Sequence, residues 1–180
     1  AYWARMLKDI PSTMAKHHQY HTVSPVGQRK SYPLPDRLGR MIKSFCAENK
    51  VSPFAVFYMA LAIYLRRVKG LERSSIGVPV INRINHREKK TAGMFVNTLP
   101  FLNELDDMLS FTQFNQELKS RWLEMLRHQR FPLDDIKRLM QENGMAGQRL
   151  FDIVLSFQNG QMYRHEDTQI SFEGRWQYSG

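Results

Sequence analysis

Residues 91–101 read Thr-Ala-Gly-Met-Phe-Val-Asn-Thr-Leu-Pro-Phe. A polar pair, Asn97 and Thr98, sits inside a short apolar run that Gly93 opens and Pro100 interrupts. A bounded run of this kind, rich in Phe and Val, predicts a strand buried on at least one face. A buried Asn must satisfy both its carbonyl and its amide or cost the fold stability. Asn97 therefore either pins or caps neighbouring backbone or faces a polar cavity.

Outward from this stretch, strands alternate with long helices. Residues 75–81 predict a strand in which Pro79 marks an edge or a bulge. Residues 82–90 read as a charged loop. Within it Arg83 has two readings, a structural ion pair or a residue of the functional site, because Arg forks commonly tie loops to carboxylates. Residues 36–49 predict an amphipathic helix, with Leu38, Met41, Ile42, Phe45 and Cys46 at helical spacing and Asp36 as the N-cap. Ser52-Pro53 starts a second helix that runs to Lys69 and ends at Gly70. Its Phe54, Phe57, Leu61, Tyr64, Leu65 and Val68 predict a wide buried face. A third helix, residues 110–128, carries the stripe Phe111, Phe114, Leu118, Trp122 and Met125, which reads as core. Phe131-Pro132 breaks it. A shorter helix over 133–142 turns Ile136, Leu139 and Met140 inward and stops at Asn143-Gly144. Residues 150–157 predict a strand in a central position, and 169–173 and 175–178 predict two more. Residues 2–10 predict a short helix with Tyr2, Trp3, Met6, Leu7 and Ile10 on one side. The pattern as a whole predicts an α/β layered sheet with long helices.

Composition narrows the classes. The chain has 180 residues, 42% of them hydrophobic, which suits one domain or half of a bilobed one and argues against global disorder. No apolar run approaches the roughly 20 residues of a membrane span. The first residues are too polar for a signal peptide. Cys46 is the single cysteine, so no internal disulfide forms; a reducing cytoplasm is expected, and Cys46 reads as core packing. The net charge of +9 favours an anionic partner without naming one. Nucleic acid is not expected, because aromatic and basic residues do not interleave as single-strand binders require. His17, His18 and His21 lie close together. No Cys or carboxylate joins them locally, so no metal site is expected.

Four segments carry a family resemblance. Residues 93–98 resemble the Gly-x-Phe-Val-Asn-Thr motif of condensation domains from non-ribosomal peptide synthetases. Residues 76–83, Ile-Gly-Val-Pro-Val-Ile-Asn-Arg, resemble the family's strand ending in Arg. Residues 128–133, His-Gln-Arg-Phe-Pro-Leu, resemble its His-Gln-x-x-Pro-Phe/Leu segment, and residues 150–159 its later strand ending in Gln-Asn. Residues 2–10 are similar to the family's Tyr-Trp helix between two lobes.

The resemblance implies one lobe of a chloramphenicol-acetyltransferase-like two-lobed fold. Residues 1–10 are then an interlobe linker helix and 11–180 most of the C-terminal lobe. It implies amide formation between a donor acyl or peptidyl thioester and an acceptor amine, both carried on phosphopantetheine arms. No cofactor is bound by this chain itself. The implied partners are the N-terminal lobe, acyl or peptidyl carrier proteins and adjacent synthetase domains. Arg83, Asn97, Thr98, Ser156 and Gln158 are implied to line the tunnel or position the lobes; none is implied to be catalytic. The family's catalytic His-His-x-x-x-Asp-Gly motif is not matched at His17-His18, where Thr22 and Val23 occupy the Asp and Gly positions. The chain alone is therefore expected to be inactive. The alternatives are a coenzyme A-dependent acyltransferase of the same fold and a non-catalytic module that binds an acidic partner.

Overall fold

Among the described residues, strand β1 (Arg73–Val80) is the middle of a three-stranded sheet, with β2 (Asn97–Glu104) on one side and β3 (Ile153–Val154) on the other. The computed structural model describes residues 2–10 and 27–158. The three histidines at 17, 18 and 21 and the strands expected at 169–173 and 175–178 lie outside the described residues. β1 and β2 are antiparallel, with Arg73 opposite Glu104 and Val80 opposite Asn97. β1 and β3 are parallel, with Ile76 beside Ile153.

Two prolines fit this sheet because of their register. Gly77 faces Pro100 and Pro79 faces Thr98, two positions apart. Both pairs are thus of the same class, and neither can be the class that exchanges two N–H bonds. The N–H and C=O of Gly77 therefore turn toward β3, where its carbonyl accepts from the Leu155 N–H at 2.9 Å. The next donor along that edge of β1 would come from Pro79, which has none. The parallel ladder stops there. This corrects the long central strand expected over 150–157: only Ile153 and Val154 are paired, and β3 is the outer strand among the described residues. The stretch 91–101 is corrected in the same way, since β2 begins only at Asn97 and residues 91–96 form a loop.

The helices form from the signals in their own sequence. In chain order they are α1 (Tyr2–Leu7), α2 (Asp36–Asn49), α3 (Pro53–Lys69), α4 (His86–Lys90), α5 (Phe111–Arg127) and α6 (Leu133–Glu142). The Ser52 hydroxyl accepts from the Ala55 N–H, and Gly70 closes α3 in the left-handed region. At α5, Ser110 and Gln113 satisfy each other's backbone N–H groups as a capping box. Asp36 is the first residue of α2 and Pro35 holds the N-cap position with no side-chain cap, so the expected Asp36 cap does not form. The charged loop expected over 82–90 contains α4, whose N-cap Asn85 accepts from the Glu88 N–H.

The core gathers Trp3, Leu7, Tyr58, Met59, Ile76, Leu99, Phe101, Phe114, Leu118, Met125, Ile136 and Met140. Full burial of one such side chain contributes about 1.5–3 kcal/mol. Tyr58 joins α3 to β2: its hydroxyl donates to the Phe101 carbonyl at 3.0 Å, and the two rings lie 4.8 Å apart. Trp122 of α5 meets Phe101 edge-on at 5.3 Å. The buried face of α3 is Tyr58, Met59, Ala62 and Leu65, while Tyr64 and Val68 are 52% and 59% exposed. The face expected from spacing is rotated because residues 54–65 are apolar almost all round, so periodicity alone leaves the phase open. No residue of α2 is fully buried. Cys46 is half-buried and packs against the core, and among the described residues no single helix is long and apolar enough to cross a membrane.

Candidate functional site

The loop between β1 and β2 is built around one guanidinium. Asn82 leaves β1 with φ of 55°, a left-handed turn that Asn tolerates better than most residues. Arg83 then reaches back across its own loop. Its Nη1 donates to the carbonyls of Glu88 and Thr91, and its Nη2 donates to the Gly93 carbonyl at 2.7 Å. The guanidinium carbon lies 4.1 Å above the Phe95 ring, a stacked cation–π contact that suits a planar cation. Among the described residues no carboxylate pairs with Arg83. Of its two sequence readings, the ion pair gives way to a clamp on backbone carbonyls.

Asn97 ties the same region to the turn between α5 and α6. Its Nδ2 donates to the carbonyls of Gln129 and Phe131, both at 2.9 Å. Both amide protons are thereby committed to backbone. Two residues of one matched segment are thus held by one residue of another. Thr98 lies opposite Pro79 in the sheet. If the parallel register is continued past Val154, Ser156 falls level with Pro79; Ser156 and Gln158 are both exposed. The structure brings Arg83 and Asn97 to one loop-and-turn junction. Ser156 and Gln158 follow β3, on the other side of β1.

Two charged residues in this junction escape a reading by motif. Glu88 accepts the Ile84 N–H through Oε2 at 2.8 Å and pairs through Oε1 with Arg130. The Ile84 hydrogen bond, and then the Arg130 charge, hold its carboxyl below the usual carboxylate range. In the sequence Glu88 looks like part of a solvated charge run. The available signal is Asn85-x-x-Glu88, the spacing of a helix-start capping pattern.

The turn also meets the N-terminal helix. The Tyr2 and His128 rings stack at 4.4 Å with 10° between their planes, and Trp3 stacks on Phe131 at 6.4 Å. Burial, followed by the nearby Glu124 carboxylate, pushes the Tyr2 phenol up to about 12. The junction therefore joins α1, the 83–97 loop, β2 and the 128–132 turn. It offers groups that position backbone and rings. Among the described residues no group of three His, Cys, Asp or Glu could hold a metal ion.

Comparison with known proteins places the chain in a family. The chain is 32% identical to surfactin synthase subunit 1 of Bacillus subtilis (strain 168) over 181 aligned positions, all of this chain and 5% of that protein. Two solved structures show the fold. A four-domain nonribosomal peptide synthetase bound to AMP and glycine superposes with a TM-score of 0.72 at 18% identity, over 89% of this chain and 13% of that one. The first condensation domain of the calcium-dependent antibiotic synthetase, in complex with a substrate analogue, gives 0.69 at 22% identity, over 87% and 35%. The chain thus spans a small part of the length of its relatives. A family model described as "Condensation domain" matches residues 1–179, and with it the chain belongs to the condensation-domain family.

Proposed function

We propose that this chain is the acceptor-side portion of a condensation domain in a non-ribosomal peptide synthetase. In this reading residues 1–10 link two lobes and residues 11–180 form most of the C-terminal lobe. The reaction joins an acceptor amine to a donor thioester. The amine nitrogen forms a C–N bond to the thioester carbonyl carbon, the C–S bond breaks, the sulfur leaves as thiol, and the nitrogen loses one proton. Holding both substrates in one tunnel turns a bimolecular step into an effectively unimolecular one.

The observation that carries the reading is the family match over residues 1–179, joined to the clamp that brings the matched segments at 76–83, 93–98 and 128–133 to one junction. Asn97 gives both amide protons and Arg83 gives three of its N–H groups to backbone carbonyls, which supports a role in shaping the floor on which substrates meet. Thr98, Ser156 and Gln158 serve the tunnel or the lobe boundary. The proton-handling group comes from a His-His-x-x-x-Asp-Gly motif that these 180 residues do not contain. Substrates arrive on phosphopantetheine arms of acyl or peptidyl carrier proteins in the cytoplasm, and the +9 charge suits an acidic carrier.

The test is amide formation with two substrate-loaded carrier proteins. The complete two-lobed domain turns over and the isolated 180 residues do not. Turnover by the isolated chain would sink the division of labour between lobes. Equal turnover of the complete domain on soluble coenzyme A thioesters would replace the carrier-dependent reading with an acyltransferase of the same fold.

A further inference from the structure

Arg130 sits between the two residues whose carbonyls Asn97 holds, so the 128–132 turn is gripped twice. Asn97 holds its backbone from β2, and Glu88 holds its side chain from α4. The two grips differ in kind. Asn97 fixes the height of the turn against the sheet. The Glu88–Arg130 pair fixes the turn sideways against the 83–97 loop, the same loop that Arg83 braces internally through three carbonyls and the Phe95 ring.

Three further features show that Glu88 does more than carry surface charge. Its side chain is only 21% exposed, against 58% for Arg130. Its backbone and side chain together meet five separate groups: Asn85 Oδ1 through its N–H, the Ile84 N–H and the Arg130 guanidinium through its carboxylate, and the Arg83 guanidinium and the Thr91 N–H through its carbonyl. Its carboxylate is therefore held in place before Arg130 arrives. A preformed acceptor loses little freedom on pairing, unlike two long side chains meeting at an open surface. Beyond Arg130 the chain of contacts continues through the Tyr2–His128 stack into α1.

We propose that Glu88 is a positioning residue of the condensation reaction: through Arg130 it sets the 128–132 turn, and with it α1, at a fixed place relative to Arg83 and Asn97. This rests on the functional reading above. Positional error of about an ångström at a bimolecular site costs up to roughly a hundredfold in rate. Loosening one of the turn's two grips is expected to lower kcat about tenfold while leaving the acceptor KM within about twofold.

The experiment uses the complete domain with loaded carrier proteins and four variants: Glu88→Gln, Arg130→Met, Arg130→Lys and the double E88Q/R130M. Glu88→Gln keeps the side-chain shape and can still accept from Ile84, so a folded protein is expected. Thermal unfolding of each variant is measured beside the kinetics. The proposal expects kcat to fall in E88Q and R130M, the double to fall no further than either single, and Arg130→Lys to recover most of the loss. Unfolding midpoints should stay close to that of the parent. Unchanged kcat in E88Q, additive losses in the double, or a rise in KM with kcat intact each overturn it. A parent domain that forms no amide at all fails the functional reading instead, so the two failures are told apart.

Discussion

Gly77 lies in the middle strand of the sheet, and what it makes room for is an aromatic ring. A Cβ built on Gly77 would stand 2.7 Å from both Cδ2 and Cε2 of Phe151 and 3.0 Å from its Cγ. Carbon atoms in good contact sit about 3.5–4.0 Å apart, so the ring would have to retreat by about 1 Å. Phe151 lies two residues before β3, whose pairing with β1 fixes the nearby backbone. The ring therefore turns or the strand shifts. Forcing one extra carbon into such a site costs about 1–3 kcal/mol. Against this stands a gain of about 0.4–1 kcal/mol from restricting the unfolded chain when Gly becomes Ala. Gly77→Ala should thus destabilise by a net of about 1–2 kcal/mol, read as a lower urea midpoint at constant slope. Phe151→Ala removes the obstacle. In that background Gly77→Ala should be neutral or stabilising by a few tenths of a kcal/mol. An equal cost in both backgrounds would refute the steric argument, because the cost would then come from the strand rather than from the ring.

Other outcomes follow from contacts at Asn97, Tyr58 and Ser110. Asn97→Ala leaves the Gln129 and Phe131 carbonyls without their donor and should lower stability by about 1–3 kcal/mol in chemical denaturation. Asn97→Asp should cost more, since a carboxylate can only accept and would face two carbonyls. Tyr58→Phe removes the hydroxyl that donates to Phe101 and should cost about 0.5–1.5 kcal/mol near neutral pH. Burial holds the Tyr58 phenol well above its ordinary value. Above pH ~10 the unfolded phenol loses its proton while the folded one keeps it, so stability falls as pH rises. A pH series of denaturation midpoints should therefore decline less steeply for Tyr58→Phe than for the parent. Ser110→Ala dismantles the capping box at α5 and should cost about 1 kcal/mol, visible as a lower thermal midpoint.

Much of this protein is legible without coordinates where the information is local. Helix ends are set by caps and breakers within a few residues of each other: Ser52-Pro53, Gly70, Ser110 with Gln113, and Pro132 all act where they stand in the chain. Most of the inward faces of α5 and α6 follows from spacing because each helix has a clear polar side; Phe111, expected in the α5 stripe, is 37% exposed. Family membership is also local, carried by four short segments in order.

What the sequence leaves open is whatever depends on a distant partner. The strand expected over 150–157 shrinks to two residues because a proline about 75 positions earlier lacks an N–H for it. The phase of α3 is set by Tyr58 finding the carbonyl and ring of Phe101, since a helix apolar on nearly every side has no preferred face of its own. The role of Arg83 turns on three carbonyls of its own loop, and the conformation that presents them appears only once the loop has closed. Glu88 shows the limit most clearly. In the sequence it is one charge in a basic run, and its ion-pair partner, Arg130, lies 42 residues away. The sequence by itself determined the family and most of the helices, and it left α4 and the extents of β2 and β3 open. The tertiary structure decided which polar groups meet, because a hydrogen bond or ion pair is settled by distance in space and the chain pattern records only distance along the backbone.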